Sequence, residues 1–562
     1  MNLKYQYGYA VSLLKRYGIR GLYRKIRERR SSPMLSYAKH YRRYLPTEEE
    51  LRRQMEEPLS YSPLISIVVP AYETKEAYLR ALLESVLAQS YANWELCIAD
   101  GSKTEAVASC VRAYAKKDAR IRYLALAENG GISENTNSGF AMANGAYIAL
   151  MDHDDVLAGN ALYEMAACLN RSYTEEERAY AMVYSDEDKI DKDGAQHSRP
   201  HFKPDFNLEF LRHNNYFCHF LMFSAALLQK TGGLQKEYDG AQDYDFALRC
   251  VDAGAIVRHV PKILYHWRMH EGSTAGNSAD KAYAFDNGCR AIEAHLKRRN
   301  EPGAASVTPN LGVYRVRYAL RGDYAITVVA EEKEQLRRIR RHYQKEGAGD
   351  GAYRLNIHYM RIDSFQNAIE KACVGEYILY IRKQVKVRPK GLIETLLGTC
   401  QHAAVGVVGA KLLNEAGRVA SCGVLYDGDG SLIGASGGLP AEYKGYFLHA
   451  AIPQNVSALS LDCAMFKRSA FADAGGMEEA LDGWYRDADF CFRLAEQGYA
   501  AVVTPEATAV VRGRKREERA EDFSRERQKK LFLDRWEQKL AKPDPCYNCN
   551  LSLKPNHTYA MK

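Results

Sequence analysis

The sequence has no apolar run that approaches the roughly 20 residues of a membrane-spanning helix, so we expect no span across a bilayer. Residues 1–20 have neither an uninterrupted apolar core nor a small-residue cleavage site, and we expect no secretory signal. The 13 cysteines are scattered and odd in number, which argues against a disulfide scaffold and favours reduced thiols in a cytosol. The CxxC of Cys546 and Cys549 has no second pair and is a weak zinc signal.

The composition is that of an ordinary globular protein, with 46% hydrophobic and 26% charged residues among 562. This length suits two large domains or three to four smaller ones, and the composition excludes disordered and collagen-like classes. The net charge is only +8, but its distribution is uneven. Residues 1–30 hold nine lysines and arginines against the single acid Glu28, with Leu14, Leu22 and Ile26 close to one helical face.

Two interpretations of this basic segment stay open. As an amphipathic helix it would lie on an anionic membrane surface, and as a solvated helix it would pack on the main domain. Nucleic acid is not an expected partner, because the basic residues do not continue as a stripe and no nucleic-acid-binding motif accompanies them.

The order of predicted elements divides the chain into three segments. Residues 1–60 are helical and charged, with a capping box at 47–50 that begins a helix over 48–57. Residues 61–308 begin with a strand, a helix and a second strand, which is the order of a parallel crossover. Residues 309–562 match the first half at several places, so we predict two tandem α/β domains and a helical C-terminal tail.

The internal repeat depends on two pairs of segments. Residues 375–381 (GEYILYI) match residues 145–151 (GAYIALM), each at the end of a predicted strand. A Gly-Gly pair followed by an Asp-x-Asp-Phe segment occurs within both 232–249 and 475–493. A repeat of over 200 residues indicates duplicated domains rather than a solenoid.

Asp152 and Asp154 directly follow the predicted strand 146–151. Carboxylates one residue apart at a strand end can present oxygens to Mg²⁺ or Mn²⁺ and leave positions open for phosphate. A solvated acidic turn is the alternative for this pair taken alone. Ligands of parallel sheets bind at the carboxyl ends of strands, where Asp100 also lies, so a base or ribose could be held there.

Four further residues fall near the same predicted edge. Asn129 opens the loop before the predicted helix 133–143. Asp243 begins another helix and suits a general base for a sugar hydroxyl, with a plain N-cap as the alternative. Arg268 could meet a diphosphate and His270 could complete a metal shell, although a lone histidine is usually structural.

Residues 63–274 resemble family-2 glycosyltransferases of the GT-A fold. The matching pieces, in chain order, are ISIVVPAY (65–72), WELCIADGS (94–102), NGGIS (129–133), MDHDD (151–155), YSDEDK (184–189), GAQDYD (240–245) and YHWRMH (265–270). The subgroup that the chain looks most like builds rhamnose-rich and related bacterial surface polysaccharides, often with two such domains in tandem. The resemblance implies a Rossmann-like, mostly parallel sheet between helices.

The resemblance also implies a role for each matching residue. Asp100 would hold the nucleobase or ribose, Asp152 and Asp154 would bind the metal and the donor diphosphate, and Asp243 would be the base of an inverting transfer. Gln242 replaces the glutamate that usually precedes the base, which leaves the base itself intact.

The segment at 184–190 includes one of the matching pieces, but the sequence does not assign a chemical role to it. Residues 184–190 either face the acceptor or only shape a hairpin that turns at 193–194.

The second copy departs further from the family pattern. Its residues 382–384 are Arg-Lys-Gln where the first copy has the DxD motif of Asp152 and Asp154, while Asp487 survives at the base position. Residues 355–362 contain no clear counterpart of the nucleobase aspartate. We predict a degenerate second domain that binds acceptor glycan or supports the first by packing, with direct phosphate binding by its two cations as the lesser alternative.

The leading prediction is an inverting, metal-dependent hexosyl- or deoxyhexosyltransferase that requires Mn²⁺ or Mg²⁺. It would move a sugar from a nucleotide-diphosphate donor to a growing or lipid-linked polysaccharide, in the cytoplasm or at the inner face of the cell membrane. A nucleotidyltransferase is disfavoured, because residues 70–75 after the first strand contain no glycine. A non-catalytic glycan-binding or scaffold protein is the alternative from another class, and the intact aspartates of the first domain oppose it there.

Overall fold

The computed structural model describes residues 34–270, 282–346, 352–362, 374–383, 385–512, 520–555 and 557–562. The basic segment 1–30 and Gln384 lie outside these ranges. Within them, no helix is both long enough and apolar enough to cross a membrane.

The first half of the chain builds a sheet of nine described strands with two main clusters of buried apolar residues packed against it. Their order across the sheet is β3-β2-β1-β4-β8-β6-β9-β5, with β7 paired to β6. Neighbours among β1 to β4 run parallel, β8 runs antiparallel to β4 and β6, and β9 runs parallel to β6. The strands are β1 (Ile65–Ala71), β2 (Trp94–Asp100), β3 (Ile121–Ala125), β4 (Tyr147–Leu150), β5 (Val156–Leu157), β6 (Ala181–Ile190), β7 (His197–His201), β8 (Leu221–Ser224) and β9 (Ile256–Arg268).

Helices cover this sheet because their apolar residues recur at helical spacing. The helix after β1, for example, buries Leu79, Leu82, Leu83 and Val86 against the sheet. The described α-helices of this half are Met34–His40, Glu48–Glu56, Glu76–Leu87, Ala106–Ala115, Ile132–Met142, Ala161–Ser172, Leu208–His213, Ala225–Thr231, Gln242–Asp252 and Ala282–Arg298.

The predicted capping box is confirmed at the start of the second of these helices. The Thr47 hydroxyl accepts a hydrogen bond from the Glu50 amide at 3.1 Å, and the Glu50 carboxylate accepts one from the Thr47 amide at 3.3 Å. Glu50 therefore closes the helix terminus that the sequence pattern indicated.

The second half repeats this architecture, which confirms the predicted α/β fold in two sheet-containing copies. Its main sheet has the order β13-β12-β14-β21-β16-β22-β15, which matches β2-β1-β4-β8-β6-β9-β5 strand for strand. The strands are β12 (Gly322–Ala330), β13 (Tyr353–Arg361), β14 (Tyr377–Ile381), β15 (Val385–Val387), β16 (Val405–Asn414), β17 (Val419–Ser421), β20 (Gln454–Val456), β21 (Cys463–Lys467) and β22 (Ala500–Val511).

One hydrogen bond recurs at the same place in both copies. The amide of Gly145 donates to the hydroxyl of Ser66 at 2.8 Å, and the amide of Gly375 donates to the hydroxyl of Thr327 at 3.1 Å. The match between residues 145–151 and 375–381 is therefore structural as well as sequential.

The remaining elements connect and cover the two sheets. Hairpin β10 (Gly303–Val307) and β11 (Tyr314–Tyr318) joins the halves, and β18 (Val424–Tyr426) pairs with β19 (Leu432–Gly434). The described α-helices of the second half are Lys333–Glu346, Leu392–Cys400, Arg468–Asp473, Gly483–Glu496 and Ala520–Leu540.

The two halves are tied by buried polar contacts and by the C-terminal tail. The Asn207 side chain forms two hydrogen bonds of 2.9 Å with the backbone of Asn455: its amide nitrogen donates to the Asn455 carbonyl, and its oxygen accepts from the Asn455 amide. In the tail, the Asn548 side-chain amide donates to the Asp186 carboxylate at 2.9 Å and to the Lys203 carbonyl at 2.8 Å. The second half therefore packs directly beside strand β6 of the first.

Candidate functional site

Asp100 is the last residue of β2 and lies opposite Ala71, the last residue of β1. Its carboxylate is buried and accepts hydrogen bonds from the Ser102 amide at 2.9 Å and the Tyr123 hydroxyl at 2.8 Å. This carboxylate is thereby held at the carboxyl edge of the sheet, where the sequence predicted a base or ribose contact.

Asn129 lies at the same edge, in the loop that approaches Gly101. A Cβ atom on Gly101 would meet the Asn129 Cα at 3.1 Å and the Asn135 amide at 2.9 Å, so only glycine lets the loop come this close. The Asn129 side-chain oxygen accepts hydrogen bonds from the Gly131 amide at 3.1 Å and from Asn135 at 2.9 Å. Asn129 thus organises the loop, and its contact with a donor stays a prediction.

Asp154 and His270 form the closest pair among the predicted metal ligands. The Asp154 Oδ2 and His270 Nε2 atoms are 2.5 Å apart, and both side chains retain some exposure. Asp152, two residues earlier, has a side chain that is 47% exposed. Two carboxylates and an imidazole with open positions are a donor set that fits Mn²⁺ or Mg²⁺.

Asp155 is buried next to Asp154 and fixes the turn at residues 152–155, called the DxD turn below. Its two oxygens accept hydrogen bonds from the Tyr265 hydroxyl at 2.6 Å and the Arg268 amide at 2.7 Å. Burial, followed by the charges of Asp152 and Asp154, raises the pKa of Asp155 well above its ordinary value.

His219 connects the DxD turn to the predicted base. Its Nε2 atom is 3.7 Å from the Asp152 Oδ2 atom, and its ring stacks on Tyr265 at a centroid distance of 4.6 Å. Asp152, Asp155 and His219 also form a group whose ligand atoms lie within 4.8 Å of one another and could hold a metal ion. Both Asp155 oxygens are already hydrogen-bonded, and Asp154 and His270 contact each other. Asp152, Asp154 and His270 do not form such a group among the described residues, so their joint binding of a metal stays a prediction.

Asp243 stands in the first turn of helix Gln242–Asp252, close enough to His219 and Asp152 for the charges of both to act on its carboxylate. Its Oδ2 atom accepts a hydrogen bond from the Asn215 side-chain amide at 2.8 Å. Burial raises the pKa of Asp243, the charge of Asp152 adds to this, and His219 opposes it. A carboxylate with a raised pKa is suited to accept a proton from an acceptor hydroxyl.

Asp245 differs from Asp243 in its partners. Its Oδ2 atom accepts a hydrogen bond from Arg249 Nε at 2.7 Å within the same helix. The guanidinium also donates to the carbonyls of Thr231 at 2.8 Å and Gly233 at 2.9 Å. Asp245 is therefore a local structural partner of Arg249.

Arg268 lies next to the DxD turn, but its side chain is buried. The guanidinium donates to the carbonyls of Asp154 at 2.7 Å and Lys192 at 3.2 Å, and it lies over the Tyr78 ring at 4.8 Å. These contacts show how Arg268 supports the turn, while its predicted contact with a donor diphosphate stays a prediction.

A cavity of about 670 Å³ lies on the face of β9 that carries His266 and Arg268, opposite Tyr265. Asp188, His197 and His266 form a second group at its wall that could hold a metal ion. The Asp188 carboxylate already accepts hydrogen bonds from both imidazoles, at 2.6 and 2.7 Å, and from the Tyr37 hydroxyl at 2.6 Å. The cavity does not reach Asp152 or Asp243.

The acidic run at 186–188, which sequence reasoning left without a role, has three separate sets of internal partners. Asp186 accepts hydrogen bonds from Asn548 and contacts His259 at 2.9 Å, and Glu187 pairs with Lys203 at 3.1 Å. Asp188 holds the two histidines described above. No partner lies within one helical turn in sequence, so sequence spacing gave no signal of these contacts.

The second sheet carries a different set of side chains at the corresponding place. Leu150 pairs with Leu221 in the first sheet, and Tyr380 pairs with Ala464 in the second, so His219 corresponds to Asp462. Arg382, which follows the strand as Asp152 does, binds Asp462 at 2.8 Å and Asp487 at 2.7 Å. The counterpart of Asp100 falls near residue 363, outside the described ranges.

The family model described as Glycosyl transferase family 2 matches residues 66–232, which include Asp100, Asp152, Asp154 and His219. Over residues 66–232 the chain is therefore similar to glycosyl transferase family 2. This match confirms the resemblance drawn from the sequence motifs, and Asp152 and Asp154 lie inside the matched region.

Several curated relatives resemble a larger part of the chain. An uncharacterized protein, y4gI, of Sinorhizobium fredii is 33% identical over 540 residues, covering 89% of this chain and 58% of its own. The O-antigen biosynthesis protein RfbC of Myxococcus xanthus is 30% identical over 535 residues, covering 88% of this chain and 41% of its own. The chain therefore spans about half the length of these two relatives. A chondroitin synthase of Pasteurella multocida is 28% identical over 240 residues, 43% of this chain and 23% of its own.

Solved structures were also matched. S. aureus TarS in complex with UDP-GlcNAc has a TM-score of 0.33 and 17% identity, covering 41% of this chain and 66% of that one. A mannosyltransferase from Pyrobaculum calidifontis, in complex with GDP-Man and Mn²⁺, has a TM-score of 0.32 and 17% identity, covering 44% of this chain and 69% of that one.

Proposed function

We propose that this chain is an inverting, metal-dependent glycosyltransferase whose transfer site lies in the first copy. The observation that carries the proposal is the arrangement around His219. The Asp152 carboxylate lies 3.7 Å from the His219 Nε2 atom, the neighbouring Asp154 contacts His270 at 2.5 Å, and the charges of both His219 and Asp152 act on Asp243. A nucleotide-sugar donor and an acceptor hydroxyl can meet between them.

In the proposed reaction, Asp243 accepts the proton of the acceptor hydroxyl. That oxygen bonds to the anomeric carbon in line with the donor, while the bond from this carbon to the diphosphate oxygen breaks. A bound divalent ion would stabilise the negative charge on the departing nucleoside diphosphate. Asp152, Asp154 and His270 would hold the ion, and Asp100 with Asn129 would hold the nucleoside.

The proposed acceptor is a growing or lipid-linked bacterial cell-surface polysaccharide. RfbC is named for O-antigen biosynthesis and aligns with 88% of this chain, which supports this class. The proposed sugar is a hexose or deoxyhexose, and the proposed location is the cytoplasm. Whether residues 1–30 lie on the inner membrane surface or pack on the domain stays open, because they are outside the described residues.

For the second copy, at residues 309–562, we propose a non-catalytic role as a support or glycan-binding unit. The ion pairs of Arg382 with Asp462 and Asp487 favour this, because they neutralise carboxylates that would otherwise be available to bind a metal or to act as the base. The proposed division is a segment at 1–60, a catalytic domain at 61–308 and this degenerate domain.

Thermal unfolding with nucleoside diphosphates and nucleotide sugars, each with and without Mn²⁺, tests the proposed function. A ligand at about 100 times its dissociation constant should stabilise the domain that binds it by about 2.7 kcal/mol. The shift should need Mn²⁺ and should vanish in Asp152→Ala/Asp154→Ala. The exposed pair Glu175→Ala/Glu176→Ala is the matched control and should keep it. A folded protein that responds to no nucleotide would contradict the proposal.

A further inference from the structure

A buried ion pair holds the backbone of His219 from behind. The Lys203 ammonium group is fully buried and contacts Glu187 Oε2 at 3.1 Å and the Phe217 carbonyl at 2.9 Å. It also donates to the His219 carbonyl. Glu187 Oε2 in turn accepts a hydrogen bond from the His219 amide at 3.3 Å. The N–H and the C=O of one residue are therefore both bound by the same ion pair.

Burial of the Lys203–Glu187 ion pair costs desolvation energy, which is a high cost for a contact with only a structural role. An ammonium group has three donors, and all three of those of Lys203 are directed to Glu187 and two carbonyls. Buried ion pairs contribute little net stability compared with apolar packing. Their distinct effect is to fix a geometry, and the geometry fixed here is that of residues 217–219.

The imidazole of His219 is fixed as well as its backbone. Its ring stacks on Tyr265 at a centroid distance of 4.6 Å with an interplanar angle of 10°, and it meets the Trp267 ring in a T-shaped contact with the centroids 5.3 Å apart. The side chain is still 13% exposed, and its Nε2 atom is 3.7 Å from the Asp152 carboxylate. An oriented, partly exposed imidazole thus lies beside Asp152 and acts electrostatically on Asp243.

We propose that His219 contacts the diphosphate or the transferred sugar of the donor, and that the Lys203–Glu187 pair is the device that positions it. The inference rests on the proposed function and adds one site residue and two positioning residues to it. An imidazole Nε2 donor at this place would give the donor a charge-assisted hydrogen bond between the metal ligands and the base.

The second copy contacts the same device. The His201 Nδ1 atom is 3.8 Å from Glu187 Oε1, and the His201 ring stacks on Phe447 of the second half at 3.7 Å. Because Phe447 belongs to the short 3-10 helix Tyr446–Leu448 of the second half, packing of that half bears on the ion pair that holds His219. This contact offers the second domain a physical route to support the transfer site.

The test is a double-mutant cycle on the binding of Mn²⁺ with UDP, GDP or dTDP, measured by titration calorimetry. His219→Ala should weaken the binding of the cognate nucleoside diphosphate or its nucleotide sugar about 10- to 100-fold. Lys203→Met should weaken it similarly, and the double variant should be no worse than either single variant, because Lys203 acts through His219. Glu187→Gln provides a second, milder cycle should Lys203→Met fail to fold.

Lys411→Met is the matched control. Lys411 is also a buried lysine, and it donates to the carbonyls of Ala441 at 2.9 Å and Ala450 at 2.7 Å in the second half. This variant should lose stability without a change in affinity. Wild-type affinity in His219→Ala, or fully additive losses in the cycle, would overturn the inference. Absence of metal-dependent binding by the wild type would instead overturn the proposed function itself.

Discussion

The guanidinium of Arg382 lies 2.7 Å from the Asp487 carboxylate, at the place where the first sheet carries Asp152 and Asp243. In the first copy Asp152 and Asp243 have no arginine or lysine partner among the described contacts, whereas in the second copy Arg382 neutralises Asp462 and Asp487. The two sheets share their strand order, so the difference lies in a few side chains at the strand ends rather than in the architecture.

Arg382→Met should destabilise the second domain by about 3–5 kcal/mol, because it leaves the buried Asp487 without its partner. Urea unfolding at neutral pH measures this change. In Arg382→Met/Asp487→Asn the charge is removed from both sides, and most of the loss should be recovered. Equal losses of unfolding free energy in the single and double variants would contradict this prediction, because the unpaired Asp487 charge would then not be the cause of the loss.

Asp243→Asn should lower the rate of sugar transfer by about 10²- to 10⁴-fold, the usual contribution of a general base. Binding of Mn²⁺ and nucleotide should persist, because the DxD turn is untouched. Asp245→Asn, two residues away, should instead lower the unfolding temperature, because Asp245 anchors Arg249 at 2.7 Å. Transfer assays and thermal unfolding of the two variants separate these effects, and a fully active Asp243→Asn would exclude it as the base.

His449 should make stability depend on pH at the junction of the halves. Its ring stacks on Phe210 of the first half at 4.5 Å, and burial lowers the pKa of His449 to about 4. Because the unfolded chain binds this proton near pH 6.5, the contribution is complete above about 6.5 and is lost as the pH falls towards about 4.

The difference in unfolding free energy across this range should be about 3 kcal/mol for His449 alone. His449→Gln should therefore show a flatter decline in stability between these pH values than the wild type. The exposed His557→Gln is the control and should follow the wild-type curve. Parallel curves for all three proteins would contradict the prediction.

Much of the fold follows from local sequence patterns. The β-branched run that forms β1 and the apolar spacing of Leu79 and Leu83 predict a strand and a helix in the order of a crossover. The acidic turn after β4 and the matching segment 375–381 predict the ligand edge and the repeat. These signals are short-range, so a single sequence carries them.

The position of His219 could not be predicted in the same way. It reaches the site because β8 pairs antiparallel with β4, which sets Leu221 opposite Leu150 and brings His219 beside Asp152. The Lys203–Glu187 pair likewise depends on contacts between separate segments. Long-range pairing of this kind leaves no periodic trace in the sequence.

Calorimetric titration of the full chain with Mn²⁺ and its cognate nucleotide sugar tests the central claim most directly, because it counts donor sites. The account predicts one site per chain, which is lost in Asp152→Ala/Asp154→Ala and retained in Arg382→Met wherever that variant is folded. Two sites per chain, or binding that survives the loss of Asp152 and Asp154, would contradict it and would assign donor binding to the second domain.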